Sequence, residues 1–338
     1  MNHYENCMQC PKKCGVNRTQ KQKGFCQETD DLKIAFAGLH FGEEPLVTVF
    51  GGSGTIFITG CTLRCAFCQN YQISQNGYGS NVDSKEFTKM CLDLQNAGAE
   101  NINIVTGSHH IPKLAEFIRA AKDAGVTIPF CWNSSAYETV ESLELLKGLV
   151  TIWLPNLQTL SSSLSKDLFL APDYPQVAAK AIKWMIQNNP LKIKTVESPK
   201  NAKSIEWAQD GEPREKMEQG VIIRHLFLPG KFQETADVLQ WLKENADTKS
   251  CISLMNQYTP VSFNEEKTKL ERRQKALKAI DNRLVSKEED LDIQDLIEAY
   301  DFEYLFYQEL SDDTSWLPDF TTPQPFSNAL ATPIWHCK

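Results

Sequence analysis

The sequence predicts an α/β fold organised as a partial (β/α)6 TIM-like barrel, and three observations carry that expectation. Short β-branched apolar runs at 54–59, 101–105, 128–132, 150–154, 221–227 and 251–255 alternate with amphipathic segments at 84–97, 111–124, 135–147, 174–188 and 233–245. That alternation is the pattern of parallel βαβ units. Helix signals sit where they should, with Ser84 and Asp173 as N-caps and Gly98 and Gly125 as stops. The chain has 338 residues, enough for one barrel of about 200–250 residues plus appendages. Three units follow: a small N-terminal metal-binding module of four cysteines with entry strands (1–50), the barrel core (51–260) and an α-rich C-terminal extension (261–338).

The first unit opens on Cys7-x2-Cys10-x3-Cys14-x11-Cys26, with turns supplied by Pro11, Gly15 and Gly24. Four thiols so placed suit a structural zinc knuckle, would also hold a second, fully ligated iron–sulfur cluster, and leave a site without metal as the third reading. So hydrophilic a segment has little core, and its metal would contribute to its folding. Entry strands are expected at Ile34–Ala37 and Leu46–Phe50, around a Gly-Glu-Glu-Pro turn. The run Gly51-Gly52-Ser53-Gly54 lacks the Lys-Ser/Thr of a phosphate loop and reads as a turn.

Directly after the first barrel strand comes Cys61-Thr62-Leu63-Arg64-Cys65-Ala66-Phe67-Cys68. A cubic cluster takes one thiolate per iron and is saturated by four. Three thiols on one loop leave one iron open to an outside ligand, as a catalytic metal keeps a free position. The bland alternatives are a zinc site short of one ligand and three unrelated buried cysteines.

The loop resembles that of the radical S-adenosylmethionine (SAM) superfamily, C-x3-C-x-φ-C with φ aromatic, and Cys61, Cys65, Phe67 and Cys68 fill every position. The resemblance implies a 4Fe-4S cluster on Cys61, Cys65 and Cys68, with SAM chelated at the open iron and cleaved reductively to a 5′-deoxyadenosyl radical. The cofactors carry that chemistry and the protein ligates and orients them. Across nearly the whole chain the likeness narrows to relatives of the pyruvate formate-lyase activating enzyme that share an N-terminal cysteine-rich segment. Its carriers include Cys10–Arg18, Asn101–Thr106, Trp132–Ser135, Ala171–Pro175, Arg224–Leu226, Leu228–Gly230 and Leu317–Phe320.

By this resemblance the backbone of Phe67 lies near adenine, Thr106, Gly107 and Ser108 meet the SAM amino group, and Asn133 and Arg224 meet ribose or carboxylate. Asn156 and Gln158 stand where the activating enzymes carry Asp-x-Lys, so a charged pair is replaced by two neutral amides. Implied too are a reductant such as flavodoxin or ferredoxin and, as substrate, a glycyl-radical enzyme. A small molecule or peptide is the alternative substrate, and a non-catalytic iron–sulfur or zinc protein the alternative class. Barrel and cofactor do not name the substrate, because function lives in the site.

His109 and His110 have no carboxylate partner in their motif and read as structural. Residues 197–219 are polar, lack apolar periodicity and read as a surface insertion able to act as a lid. Helices are expected at 264–283 and 287–300, an apolar strand-like segment at 302–307, and a frayed end at Trp335-His336-Cys337-Lys338. Cys91, Cys131 and Cys251 read as small buried hydrophobes.

Composition sets the class. A net charge of −8 argues against nucleic acid as a partner. The cationic stretch 11–23 and the acidic stretch 286–313 read as solvated faces. Eleven cysteines, odd in number and clustered, indicate metal binding in a reducing cytoplasm rather than disulfides. A polar start and the lack of any run of about 18 apolar residues lead us to expect neither signal peptide nor membrane span. Composition thus agrees with a cytoplasmic, metal-binding enzyme, and the resemblance implies an oxidoreductase.

Overall fold

The computed structural model describes residues 3–197, 213–327 and 329–337. Seven strands lie parallel at its heart: β2 (Ser53–Ile58), β4 (Ile102–Val105), β5 (Phe130–Ser134), β6 (Ile152–Pro155), β8 (Arg214–Leu226), β9 (Cys251–Met255) and β10 (Leu305–Gln308). The sheet runs β10-β9-β8-β6-β5-β4-β2 and continues antiparallel into β1 (Lys33–His40) and β11 (Ala331–His336). β10 and β11 stand at opposite ends, so the barrel is partial and open. Two short pieces complete the sheet: β3 (Ser80–Asn81) against β1 and β7 (Lys192–Val196) against β8.

Helices α2 (Ser84–Asn96), α3 (Ile111–Asp123), α6 (Tyr174–Asn188) and α7 (Phe232–Asn245) bury one apolar face each and cover the sheet, as their periodicity predicts. Asp83 rather than Ser84 caps α2, accepting from the Glu86 amide. Gly98 and Gly125 end their helices at φ of +94° and +108°, conformations that glycine adopts without steric cost. Shorter helices are α1 (Tyr71–Ser74), α4 (Val140–Leu143) and α5 (Ser162–Phe169), and the extension supplies α8 (Lys267–Leu277) and α9 (Lys287–Tyr300).

Several expectations need correction. Leu46–Phe50 is no strand, because the amides of Val49, Phe50 and Gly51 converge on one oxygen of Glu100, at 2.8, 2.5 and 2.7 Å. Leu46 and Val47 instead pack against Cys131, Ile152, Leu154, Ile222 and Cys251, filling the space between strands. The helix expected over 135–147 begins only at Val140, since Glu138 turns inward to accept from Ser108 and Trp132. Part of the supposed insertion is structural: 214–219 is the start of β8, with Val196 opposite Arg214; its stretch 198–212 lies outside the described residues.

The chain end is not frayed among the described residues. Trp335 and His336 pair with Ala37 and Phe36, and the buried Cys337 donates its amide to Ala35 at 3.0 Å. The unit boundaries drawn from sequence cut through this sheet, because β1 hydrogen-bonds to β2 and β11, while β10 extends the parallel core. No helix among the described residues is long and apolar enough to cross a membrane.

Candidate active site

The cysteine loop begins three residues after β2, at the carboxyl end of the parallel strands, the edge where such sheets collect ligands. Cys61, Cys65 and Cys68 are all half-buried free thiols. The amide of Leu63 donates to Cys61 Sγ at 3.4 Å, and Cys68 Sγ lies 3.3 Å from the Ser74 hydroxyl. Burial pushes the Cys61 thiol up to about 11 and raises Cys65 and Cys68, and the neighbouring thiols add to the rise at Cys61 and Cys65. A cationic cluster relieves both penalties. The soft, three-thiol donor set on one loop therefore fits an iron–sulfur cube.

Among the described residues, no group of three or more His, Cys, Asp or Glu side chains is gathered so that it could hold a metal ion. A single zinc needs sulfurs converging at about 2.3 Å from one point. Cluster ligands stand farther apart, each at its own iron. The N-terminal thiols are likewise not converged on one point. Cys14 Sγ accepts from the Phe25 amide at 3.3 Å and Cys7 Sγ receives Gln9 Nε2 at 3.6 Å. Burial, with some help from neighbouring thiols, raises Cys10 to about 12 and also raises Cys26.

The two cysteine groups adjoin. Arg64, inside the Cys61–Cys68 loop, donates to Phe25 O at 2.5 Å and to Ser74 O at 3.0 Å. On the other side, α8 clamps the loop: Arg273 Nη1 donates to the carbonyls of Cys65 and Ala66 at 3.1 and 2.9 Å, while Glu265 pairs with the same guanidinium at 2.9 Å. Nothing in the charged pattern of 264–283 singles out Arg273, which became identifiable only when the loop was in place.

A second polar group lies across the strand ends. Arg224 donates to Asn133 Oδ1 at 2.5 Å, to Asn156 Oδ1 at 2.9 Å and to Glu43 Oε1 at 3.2 Å. Glu43 Oε2 accepts from Asn103 Nδ2 at 2.6 Å and Asn133 Nδ2 at 3.2 Å. Thus Asn133, Asn156 and Arg224 do come together, and Glu43 is the member missed by the sequence reading, which took Gly-Glu-Glu-Pro for a plain turn. Two adjacent acids inside an apolar run were the available signal. Beside them Glu44 is buried, and that burial raises its carboxyl to about 7 against the pull of Arg224.

The other candidates are elsewhere. Phe67 is buried edge-on between Phe169 and Tyr258, with ring centroids 6.0 and 5.8 Å away. Ser108 is fully buried and gives its hydroxyl to Glu138 at 2.5 Å, so its side chain is already committed. Gly107 is dictated by packing, since a Cβ there would stand 2.4 Å from Leu114 Cδ1 and 2.7 Å from Trp132. Thr106 is half-buried at the end of β4. The Gln158 amide donates to Tyr174 Oη at 3.0 Å, while its side-chain oxygen is buried without a partner.

Both histidines after β4 are structural. His109 Nε2 meets Thr59 O at 2.7 Å, and His110 Nε2 lies 2.9 Å from buried Arg18, whose remaining donors reach the carbonyls of Thr29 and His109. Burial and Arg18 hold His109 down at about 3 and His110 well below its usual value, so both are neutral. Cys91, Cys131 and Cys251 are buried and their thiols are raised by burial.

Residues 55–194, which include all three loop cysteines, match the Radical SAM superfamily. Over those residues the chain is similar to that superfamily. An uncharacterized protein of Methanocaldococcus jannaschii is 28% identical over 267 residues, covering 77% of this chain and 68% of its own. Among solved structures, Streptococcus suis SuiB bound to precursor peptide SuiA is 13% identical with a TM-score of 0.47, covering 74% of this chain and 46% of SuiB. A radical SAM methyltransferase from Sphaerobacter thermophilus is 12% identical with a TM-score of 0.47, covering 78% and 68%. The chain thus spans about half the length of SuiB. The Radical SAM family that this segment matches implies a 4Fe-4S cluster and SAM.

Proposed function

We propose that the protein is a radical SAM enzyme in which Cys61, Cys65 and Cys68 hold the 4Fe-4S cluster and leave one iron for SAM. The observation that carries the reading is the set of three half-buried thiols on one loop at the carboxyl end of β2, inside the segment matching the superfamily. When bound, the cluster and SAM supply a 5′-deoxyadenosyl radical that takes hydrogen from a substrate. Around them the chain's own residues bind and orient. Arg273 and Arg64 fix the loop backbone from opposite sides. Arg224, with Asn133 and Asn156, presents a cation toward a carboxylate, and Glu43 holds that cation when no ligand is present. Thr106, Gly107 and Ser108 are left to contribute backbone groups, given the commitment of the Ser108 hydroxyl.

In this reading an external reductant of the flavodoxin or ferredoxin kind supplies the electron in the cytoplasm. Cys7, Cys10, Cys14 and Cys26 form a separate metal site for zinc or a second cluster, their thiols closing on the metal as it binds. Activation of a glycyl-radical enzyme is the narrower substrate reading, carried by the sequence likeness. A small molecule or peptide is favoured by a specific feature, the packing of the extension on the loop: Arg273 on Cys65, and Phe263 edge-on to Tyr71 with ring centroids 5.0 Å apart. The test is electron paramagnetic resonance of the anaerobically reconstituted, reduced protein. A 4Fe-4S signal whose g-values change on adding SAM supports an open iron. A signal indifferent to SAM overturns it.

A further inference from the structure

A cavity of about 530 Å³ lies where the cysteine-rich segment, the loop after Cys61 and helix α8 meet. It shares no lining residue with the Glu43–Arg224 group. Five cations line it, Lys23, Lys33, Arg64, Lys269 and Arg272, and one carboxylate, Glu28. Lys33 is paired with Glu28 at 3.5 Å. Of the others, Arg64 gives its guanidinium to the carbonyls of Phe25 and Ser74, and Lys269 reaches the neutral Asn76 Oδ1 at 3.3 Å. Arg64 and Arg272 line the same cavity.

Such crowding of like charge is unfavourable in the absence of an anion, and here it occurs in a chain whose net charge is −8. Concave walls of one sign focus the field and concentrate a counter-ion. Arg272 adds a planar fork that matches phosphate oxygens bidentately. The volume is that of a small-molecule site, too small for a folded partner to enter. We propose that this cavity is a second ligand site, specific for a small polyanion of the phosphate type, held by Lys23, Lys269 and Arg272 with Arg64 at its base.

Because Arg64 belongs to the cysteine loop, an anion here would touch the site without entering the strand-end group. The proposal does not depend on the radical reading. Titration calorimetry with inorganic pyrophosphate on the reconstituted full-length protein tests it, with sodium chloride of equal ionic strength as the control. The expected result is saturable 1:1 binding in excess of the salt control, weakened at least tenfold in both Lys269→Glu and Arg272→Glu, with unfolding midpoints without ligand not lowered. Lys269→Gln and Arg272→Gln should weaken it less. An absence of saturable heat, or affinity equal in the wild type and both reversed-charge variants, overturns the proposal. Binding only of an acidic electron-transfer protein, with none of pyrophosphate, overturns it equally.

Discussion

Arg273 reaches from helix α8 to the carbonyl oxygen of Cys65, 3.1 Å away, and so ties the last quarter of the chain to the loop proposed to hold the cluster. Its charge is matched by Glu265, and both side chains are almost wholly buried. Removing one member of such a pair strands the other without water. Arg273→Met should therefore cost about 3–5 kcal/mol, read from urea midpoints, and a double variant Arg273→Met/Glu265→Leu should recover much of it. A double variant no better than the single would show that the carbonyl contacts, not the ion pair, hold α8 in place.

The same logic applies at the strand ends. Glu43→Ala leaves Arg224 partly desolvated with only amide acceptors, and stability should fall by about 3–5 kcal/mol. SAM, carrying a carboxylate, should restore part of the loss on binding. Thermal unfolding with and without SAM reads this directly. A SAM-induced shift no larger in the variant than in the wild type would separate Arg224 from the ligand.

Gly107→Ala should destabilise by about 1–3 kcal/mol, because Leu114 and Trp132 already occupy the space of its methyl group. Unaltered unfolding midpoints, in urea or heat, would contradict the packing account of this glycine.

His225 supplies a pH test. Its Nδ1 meets Leu157 O at 2.7 Å and its Nε2 meets the Thr235 hydroxyl at 2.9 Å. Burial lowers it from 6.5 to about 4. Its unfolded form takes up a proton below about pH 6.5 while the folded form does not, so its contribution is complete above that pH. It declines as the pH falls, by about 1.4 kcal/mol per unit down to about pH 4. His225→Gln should be less stable than wild type at pH 7, and the gap should narrow by about 3 kcal/mol on going to pH 4. A gap independent of pH would refute the neutral buried imidazole.

Much of this was legible in the residues. Six barrel strands and helices such as Tyr174–Asn188 follow from periodicity, because each buries an apolar face whose spacing is fixed locally. The cysteine loop is legible because its thiols stand at the spacing of the superfamily's cluster loop. What escaped depends on distant partners. Glu100 gathers the amides of 49–51, Glu138 bends the chain before α4, and Cys337 is buried by pairing of β11 with β1. Glu43, Arg273 and the adjacency of Phe25 to Arg64 belong to the same kind: ordinary charged or apolar residues locally, and parts of the site only after folding.

The most direct measurement is the yield of 5′-deoxyadenosine from SAM under anaerobic dithionite, comparing the wild type with Cys61→Ala, Cys65→Ala and Cys68→Ala. We expect time-dependent product in the wild type and none above background in each variant, with folding checked by circular dichroism. Product formed at the wild-type rate by any of the three variants would contradict the assignment.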